Sequence, residues 1–360
     1  MGSLILTFRI GPIGREWGMG TVGFLDGFEV PVVAAPMAGG ASTPELVAAV
    51  NGAGGLGFLA AGYKSAEAMV EQIQRTRALT SRDFGVNVFV PDRGSAVPEA
   101  RVSAYRERIA PEAERLGVEP GPAEWRDDDY SAKLDALLAT PVPVVSFTFG
   151  CPQARDIALL RGAGSAVVVT VTTVAEARAA VAAGADALCV QGAEAGGHQG
   201  SFVDDAERTV PMLDLLAQVR AAVDVPLVAA GGITGAEGVR AALHGGAMAA
   251  QLGTAFLRSP ESGANPTHKK ALADDRFTET AVTRAFSGRR ARGLVNRFLR
   301  THDSAAPGAY PQVHFLTGPL RAAAAAAGDA DTLHLWAGTG FRSAADAPAA
   351  AIVDAVAEGL

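Results

Sequence analysis

The stretch PLVAAGGITGAEGVRAALHGGAMAAQLGT, Pro226 to Thr254, holds two short unbroken apolar runs with one amphipathic segment between them. Runs that lack a polar alternate position mark strands buried on both faces, and such strands occur in parallel sheets covered by helices. Each run closes on glycine, at Gly231-Gly232 and at Gly253, and Thr234 stands as a plausible cap before the helical segment.

Six similar runs precede this pair. They are VVAAP (Val32 to Pro36), LGFLAA (Leu56 to Ala61), VNVFV (Val86 to Val90), PVVSFT (Pro143 to Thr148), AVVVTV (Ala166 to Val171) and ALCVQ (Ala187 to Gln191). Amphipathic stretches lie between most of them, opened by Ser42-Thr43-Pro44, Ser65 and Thr172-Thr173. Eight strands alternating with helices is the number that closes a TIM (β/α)8 barrel. A doubly wound open sheet usually stops earlier and places its phosphate loop after the first strand.

The expected fold is therefore α/β: a TIM barrel over residues 26–258 and a C-terminal helical extension over 259–343 that caps the substrate site. A last helix at about 344–359 returns to close the barrel, and residues 1–25 form a lead-in that matches no periodic element. Within the extension the pattern predicts helices around His268 to Asp275, Arg290 to Arg300 and Leu320 to Ala327. Asp92 to Thr140 is a charged insertion after strand three, helical over Glu99 to Leu116. Loops leaving the C-terminal ends of barrel strands build active sites, so the insertion and the extension are both candidate lids.

The 360 residues carry 31 Lys+Arg and 38 Asp+Glu, a net charge of -7, and show no basic block. Nucleic acid and anionic membrane thus lack their usual electrostatic footprint. Two cysteines, Cys151 and Cys189, make neither a disulfide framework nor a metal cluster, and no signal peptide or apolar span is visible. A reducing, cytoplasmic setting without metal is the expectation.

Glycines at 52, 54 and 57 spell G-x-G-x-x-G, but they follow a helix and lead into a strand, which reads as a helix end and a tight turn. The glycine-rich ends of strands seven and eight are better phosphate candidates, because barrels of this kind bind phosphate there through bare backbone N–H groups. The most unusual segment is QGAEAGGHQGSF (Gln191 to Phe202), after strand six. Four glycines surround His198 with no evident apolar face for its ring, and an unperturbed imidazole exchanges a proton near neutrality. His244, His268, His302, His314 and His334 read as structural or solvated. Asn87, Ser146, Gln191 and Gln251, at or near strand ends, converge on the same mouth, and amides suit the edge of a flavin or nucleotide ring.

At these residues the chain resembles the class I nitronate monooxygenases, once called 2-nitropropane dioxygenases. The resemblance spans about residues 30 to 355 and rests on AAPMAGGASTPELVAAVNGAGGLGFLAAGY (Ala34 to Tyr63), VNVFVP, SFTFGCP and VQGAEAGGHQGSF. AAGGI, QLGTAFL, AFSGRRARGLVNRF, YPQVHFLTGPLR (Tyr310 to Arg321) and LWAG also fit. It implies FMN held non-covalently, with Pro36 and Met37 along the isoalloxazine and Asn87, Gln191 and Gly196 on the flavin edge and ribityl chain. Gly232, Gln251, Leu252, Gly253 and Thr254 would hold the phosphate. His198 would be the catalytic residue, and Tyr310 and Trp336 would belong to the substrate cap. The implied reaction oxidises an alkyl nitronate, such as propionate 3-nitronate, with O2 to a carbonyl compound and nitrite, without NAD(P)H. His314 stands where relatives often carry Asn.

Two other readings share part of these signatures. One is an FMN-dependent, NAD(P)H-consuming enoyl-thioester or quinone reductase on the same barrel. The other is a flavin-binding protein without turnover, against which a titratable residue on the glycine loop argues.

Overall fold

A computed structural model of the protein describes residues 29–91 and 97–360; the lead-in over 1–25 lies outside them. Eleven strands occur among the described residues: β1 (Val32–Ala34), β2 (Phe58–Ala60), β3 (Gly85–Phe89), β4 (Val144–Thr148), β5 (Ala166–Val171), β6 (Ala187–Gln191), β7 (Gly197–His198), β8 (Leu227–Ala230), β9 (Ala249–Leu252), β10 (Thr280–Thr283) and β11 (Ala291–Leu294). Eight form one sheet in the order β1-β9-β8-β6-β5-β4-β3-β2, with every pairing parallel. The ring closes just ahead of β2, where Ala34 N donates to Leu56 O and Leu56 N to Val32 O, both at 2.9 Å. This is a TIM barrel, and the eight apolar runs are its eight strands.

Alternate residues point inward and fill the lumen, among them Val33, Phe58, Val144, Val168, Cys189 and Val228, while the other set packs under the helices. Gly85 is small because Phe58 needs its space: a Cβ there would lie 2.1 Å from the ring. Thr43, Ser65 and Thr173 cap the helices Pro44–Gly52, Ala66–Leu79 and Val174–Ala183 through their hydroxyls, as their positions predict. Thr234 does not cap; Gly235 takes that position before Ala236–His244, with no side-chain bond. The G-x-G-x-x-G stretch is the end of the helix Pro44–Gly52 and the turn into β2.

The insertion helix Glu99–Leu116 forms where the pattern places it, and a second helix, Tyr130–Ala139, follows it without having been anticipated. In the extension, one expectation is corrected. Arg290 to Arg300 is not one helix but β11 followed by the short helix Arg297–His302, which Asn296 caps. The cause is tertiary: β11 lies antiparallel between β10 and the two-residue β7, so long-range backbone partners override local helix preference. The helix Gln312–Ala327 begins well before Leu320, and Ala349–Glu358 packs on the barrel helices Pro44–Gly52 and Ala236–His244.

Candidate active site

A cavity of about 480 Å3 opens at the C-terminal ends of the barrel strands and is roofed by the extension. That volume suits a small-molecule or cofactor site. Among the described residues no carboxylate lines it, and its one side chain with a permanent charge is Arg321. A chain of net charge -7 thus forms a cavity whose only fixed charge, among the described residues, is positive.

His198 is held from several directions. Its strand β7 pairs with β11, Ala291 opposite His198 and Arg292 opposite Gly197. Gln199 N donates to Arg290 O at 2.9 Å. Across the loop, Gln191 Nε2 donates to His198 O at 3.2 Å, and its Oε1 accepts from Gly200 N at 2.7 Å. The ring does have an apolar setting, contrary to the expectation from the glycine loop: Phe149, Tyr310 and Trp336 surround it at 5.6, 5.8 and 5.6 Å between centroids. Ser287 Oγ lies 2.8 Å from His198 Nε2 and donates its own proton to Arg289 O at 3.1 Å. With the hydroxyl proton on that carbonyl, the serine lone pair faces the ring, and this is the tautomer that carries the imidazole proton on Nε2 and leaves Nδ1 as the accepting nitrogen. Burial, with the Arg289 and Arg321 guanidinia nearby, pulls the ring down to about 3. His198 is thus a neutral imidazole rather than one poised at neutrality.

The barrel gathers most of the sequence-predicted positions onto this cavity. Pro36, Met37, Asn87, Gln191, Gly196, Gly232, Gln251, Gly253, Thr254 and Trp336 line it with His198. Asn87 Nδ2 donates to Ser146 Oγ at 2.9 Å and to Thr148 Oγ1 at 3.0 Å, which fixes the amide. Leu252 is placed differently: its side chain is fully buried in the core, and its carbonyl accepts from Ala35 N. Tyr310 stands behind the lining, its phenol donating to Tyr63 Oη at 3.2 Å. Gly196 permits the extension to close on the loop, since a Cβ there would lie 2.4 Å from Gly338 N. The bare backbone at Gly231 and Gly232 is left-handed, with φ of 122° and 70°.

Sequence reasoning missed a second group of side chains. Tyr63, Phe149, Ser287 and Arg321 line the cavity, as do His268, His314 and His334, which are not solvated. Arg321 donates to Thr317 Oγ1 at 3.1 Å, to His314 Nδ1 at 3.2 Å and to His314 O at 2.8 Å; burial lowers it from 12.5 to about 10. His314 stacks on Tyr63 at 4.0 Å and 7°, and burial holds it near 2. Arg289, fully buried, places its guanidinium 4.2 Å from the Phe149 ring centroid and donates to Gln199 O and Ser201 O. One signal was available: His314, Gly318 and Arg321 share a helical face at i, i+4 and i+7, directly after Tyr310.

A parallel eight-stranded barrel with an enclosed site at its C-terminal mouth and a histidine held over it defines a TIM-barrel enzyme. The comparisons with known proteins narrow this. The family model described as nitronate monooxygenase matches residues 24–359, and the chain belongs to that family. A probable nitronate monooxygenase of Staphylococcus aureus (strain Newman) is 38% identical over 332 residues, covering 90% of this chain and 92% of the relative. The solved nitroalkane oxidase from Streptomyces ansochromogenes aligns with a TM-score of 0.91 at 55% identity, over 94% of this chain and 97% of that one. FabK from Thermotoga maritima aligns less closely, with a TM-score of 0.72 at 27% identity over 94% of each chain. The protein is a flavin-dependent oxidoreductase. No helix among the described residues is long and apolar enough to cross a membrane.

Proposed function

We propose that the protein binds FMN and oxidises alkyl nitronates with O2 to a carbonyl compound and nitrite, in the cytoplasm and without NAD(P)H. The observation that carries this reading is the charge of the cavity: one buried arginine, four histidines held neutral by burial and, among the described residues, no carboxylate. Such a lining favours a substrate that arrives as an anion.

The residues present fit FMN. Gly253 has no neighbour closer than 3.4 Å to an added Cβ, so its backbone stands open to the cavity. With Gly232 and the Thr254 hydroxyl it would hold the phosphate, while Pro36 and Met37 would lie along the ring and Asn87, Gln191, Gly196 and Gln251 would meet its edge and ribityl chain. When bound, the flavin supplies the electron acceptor that nitronate oxidation needs. The chain's own part is capture and exclusion of water. Arg321 attracts the nitronate oxygens, or the carboxylate of a substrate such as propionate 3-nitronate, and Phe149, Trp336 and Tyr310 keep the surroundings dry. A preformed nitronate needs no base. A neutral nitroalkane does, and His198 Nδ1 is the acceptor for its α-proton: the ring is weakly basic by itself, and the nitronate formed beside it supplies the negative charge that stabilises the imidazolium.

The test is the visible spectrum of the purified protein together with O2 uptake and nitrite release from a nitronate, with and without NAD(P)H. A flavin band and NAD(P)H-independent nitrite release are expected. Oxidation that needs NAD(P)H would overturn the reading in favour of a reductase, and a flavin inert to every donor would leave a binding protein.

A further inference from the structure

Among the described residues four non-glycine positions have positive φ: Tyr63 (66°), Asp128 (59°), Asp129 (53°) and Phe149 (76°). A bulky residue in the left-handed region is a genuine outlier, and held strain of this kind gathers at functional sites. Tyr63 and Phe149 both line the cavity. The other two belong to the insertion, and Asp128 is tied to the first, because Tyr63 N donates to Asp128 Oδ1 at 2.8 Å. The second Asp128 oxygen accepts from Lys133 Nζ at 2.7 Å, and the Lys133 side chain is 0% exposed. Neither Asp128 nor Lys133 touches the cavity.

We propose that Tyr63 is a specificity-determining residue and that Asp128, reaching across from the insertion, is its positioning residue. The left-handed turn aims the Tyr63 ring at the site, where it lies flat on His314, meets Phe89 edge-on at 5.5 Å and accepts the Tyr310 hydroxyl proton. The ring thereby forms one wall of the space beside Arg321 and limits how long the substrate's carbon chain can be. Asp128 keeps the turn: its carboxylate takes the Tyr63 N–H, and the buried Lys133 ammonium fixes the carboxylate. Without that acceptor the backbone at Tyr63 relaxes to negative φ and the wall swings away.

The inference rests on the nitronate reading above, and its test separates the two. Asp128→Ala and Tyr63→Ala are compared with the wild type on nitronates of nitroethane and 1-nitrobutane, and the crystal structure of Asp128→Ala is solved. We expect both variants to shift the kcat/KM ratio toward the longer nitronate by roughly tenfold. In the double variant the two shifts should not multiply. Asp128→Asn, which keeps the oxygen acceptor, should restore most of the wild-type ratio. In the crystal structure Tyr63 should have left the left-handed region and its stack on His314. If Asp128→Ala does not fold because Lys133 loses its partner, Asp128→Ala with Lys133→Met carries the same expectations. Equal loss on both nitronates, or a Tyr63 ring unmoved in the crystal, overturns the proposal. A wild type inactive on every nitronate overturns the functional reading instead, and the position of the ring still decides the role of Asp128.

Discussion

Replacing Arg321 with Met should make the protein no less stable and a much poorer catalyst. Burial lowers the guanidinium from 12.5 to about 10, and at about 1.4 kcal/mol per unit the charged form costs the fold about 3 kcal/mol. The sign follows from proton counting. The unfolded chain binds the proton more tightly, so the penalty is complete at every pH below 10 and relaxes only above it. Among the described residues no carboxylate pairs with this arginine; its hydrogen bonds go to Thr317 and His314. Arg321→Met removes the penalty but leaves those acceptors short of a donor, at about 1 kcal/mol each for two of them. The balance is a gain of about 1 kcal/mol, which urea denaturation at pH 7.5 can resolve. Against this, a charge-assisted contact to a buried anion is worth about 2 kcal/mol, so KM for a nitronate should rise roughly thirtyfold in a nitrite-release assay. A variant that loses more than about 2 kcal/mol of stability and keeps its KM would show that Arg321 serves the fold and not the substrate.

His198→Asn should slow turnover of neutral nitroalkanes by about a hundredfold or more while sparing preformed nitronates; equal losses on both, measured by nitrite release, would remove the base role. Ser287→Ala should act in the same direction by about tenfold, because the imidazole loses the partner that fixes its proton on Nε2. Acid should loosen the structure earlier than carboxylate titration alone would. His198, His268 and His314 are held near 3, 4 and 2 by burial, and His334 is also lowered. Below the unfolded value of about 6.5 the unfolded chain takes up protons that these folded rings refuse. Denaturation free energy should therefore fall by about 1 kcal/mol per ring between pH 7.5 and 5.5, and a flat profile across that window would refute the neutral rings. Gly196→Ala should cost about 2 kcal/mol in thermal unfolding, since its Cβ would meet the Gly338 and Ala337 backbone at 2.4 and 2.5 Å.

The barrel was legible because every one of its strands is buried on both faces and so appears as a continuous apolar run, and because Thr43, Ser65 and Thr173 mark helix starts chemically. Once the strands are counted, the fold itself brings their C-terminal ends together, which is why Asn87, Gln191, Gln251 and Thr254 could be grouped from sequence. What escaped depends on contacts that no local pattern encodes. The strand β11 is made by its partners, one of them the His198 loop nearly a hundred residues earlier in the chain. His268, His314 and His334 look like ordinary polar residues until the extension folds over the mouth. The neutrality of His198 is equally invisible, because the aromatic rings and guanidinia responsible come from four separate segments.

The three-stranded sheet β10-β11-β7 has a consequence for engineering. The segment from Ser287 to Arg292 carries the hydroxyl on the imidazole, the guanidinium beneath the loop and the strand that holds Gly197 and His198. Barrel and extension are accordingly not interchangeable modules. A chimera that grafts a foreign extension onto this barrel to change its substrate would also exchange the mount of the histidine, so a working graft has to keep this segment from the parent.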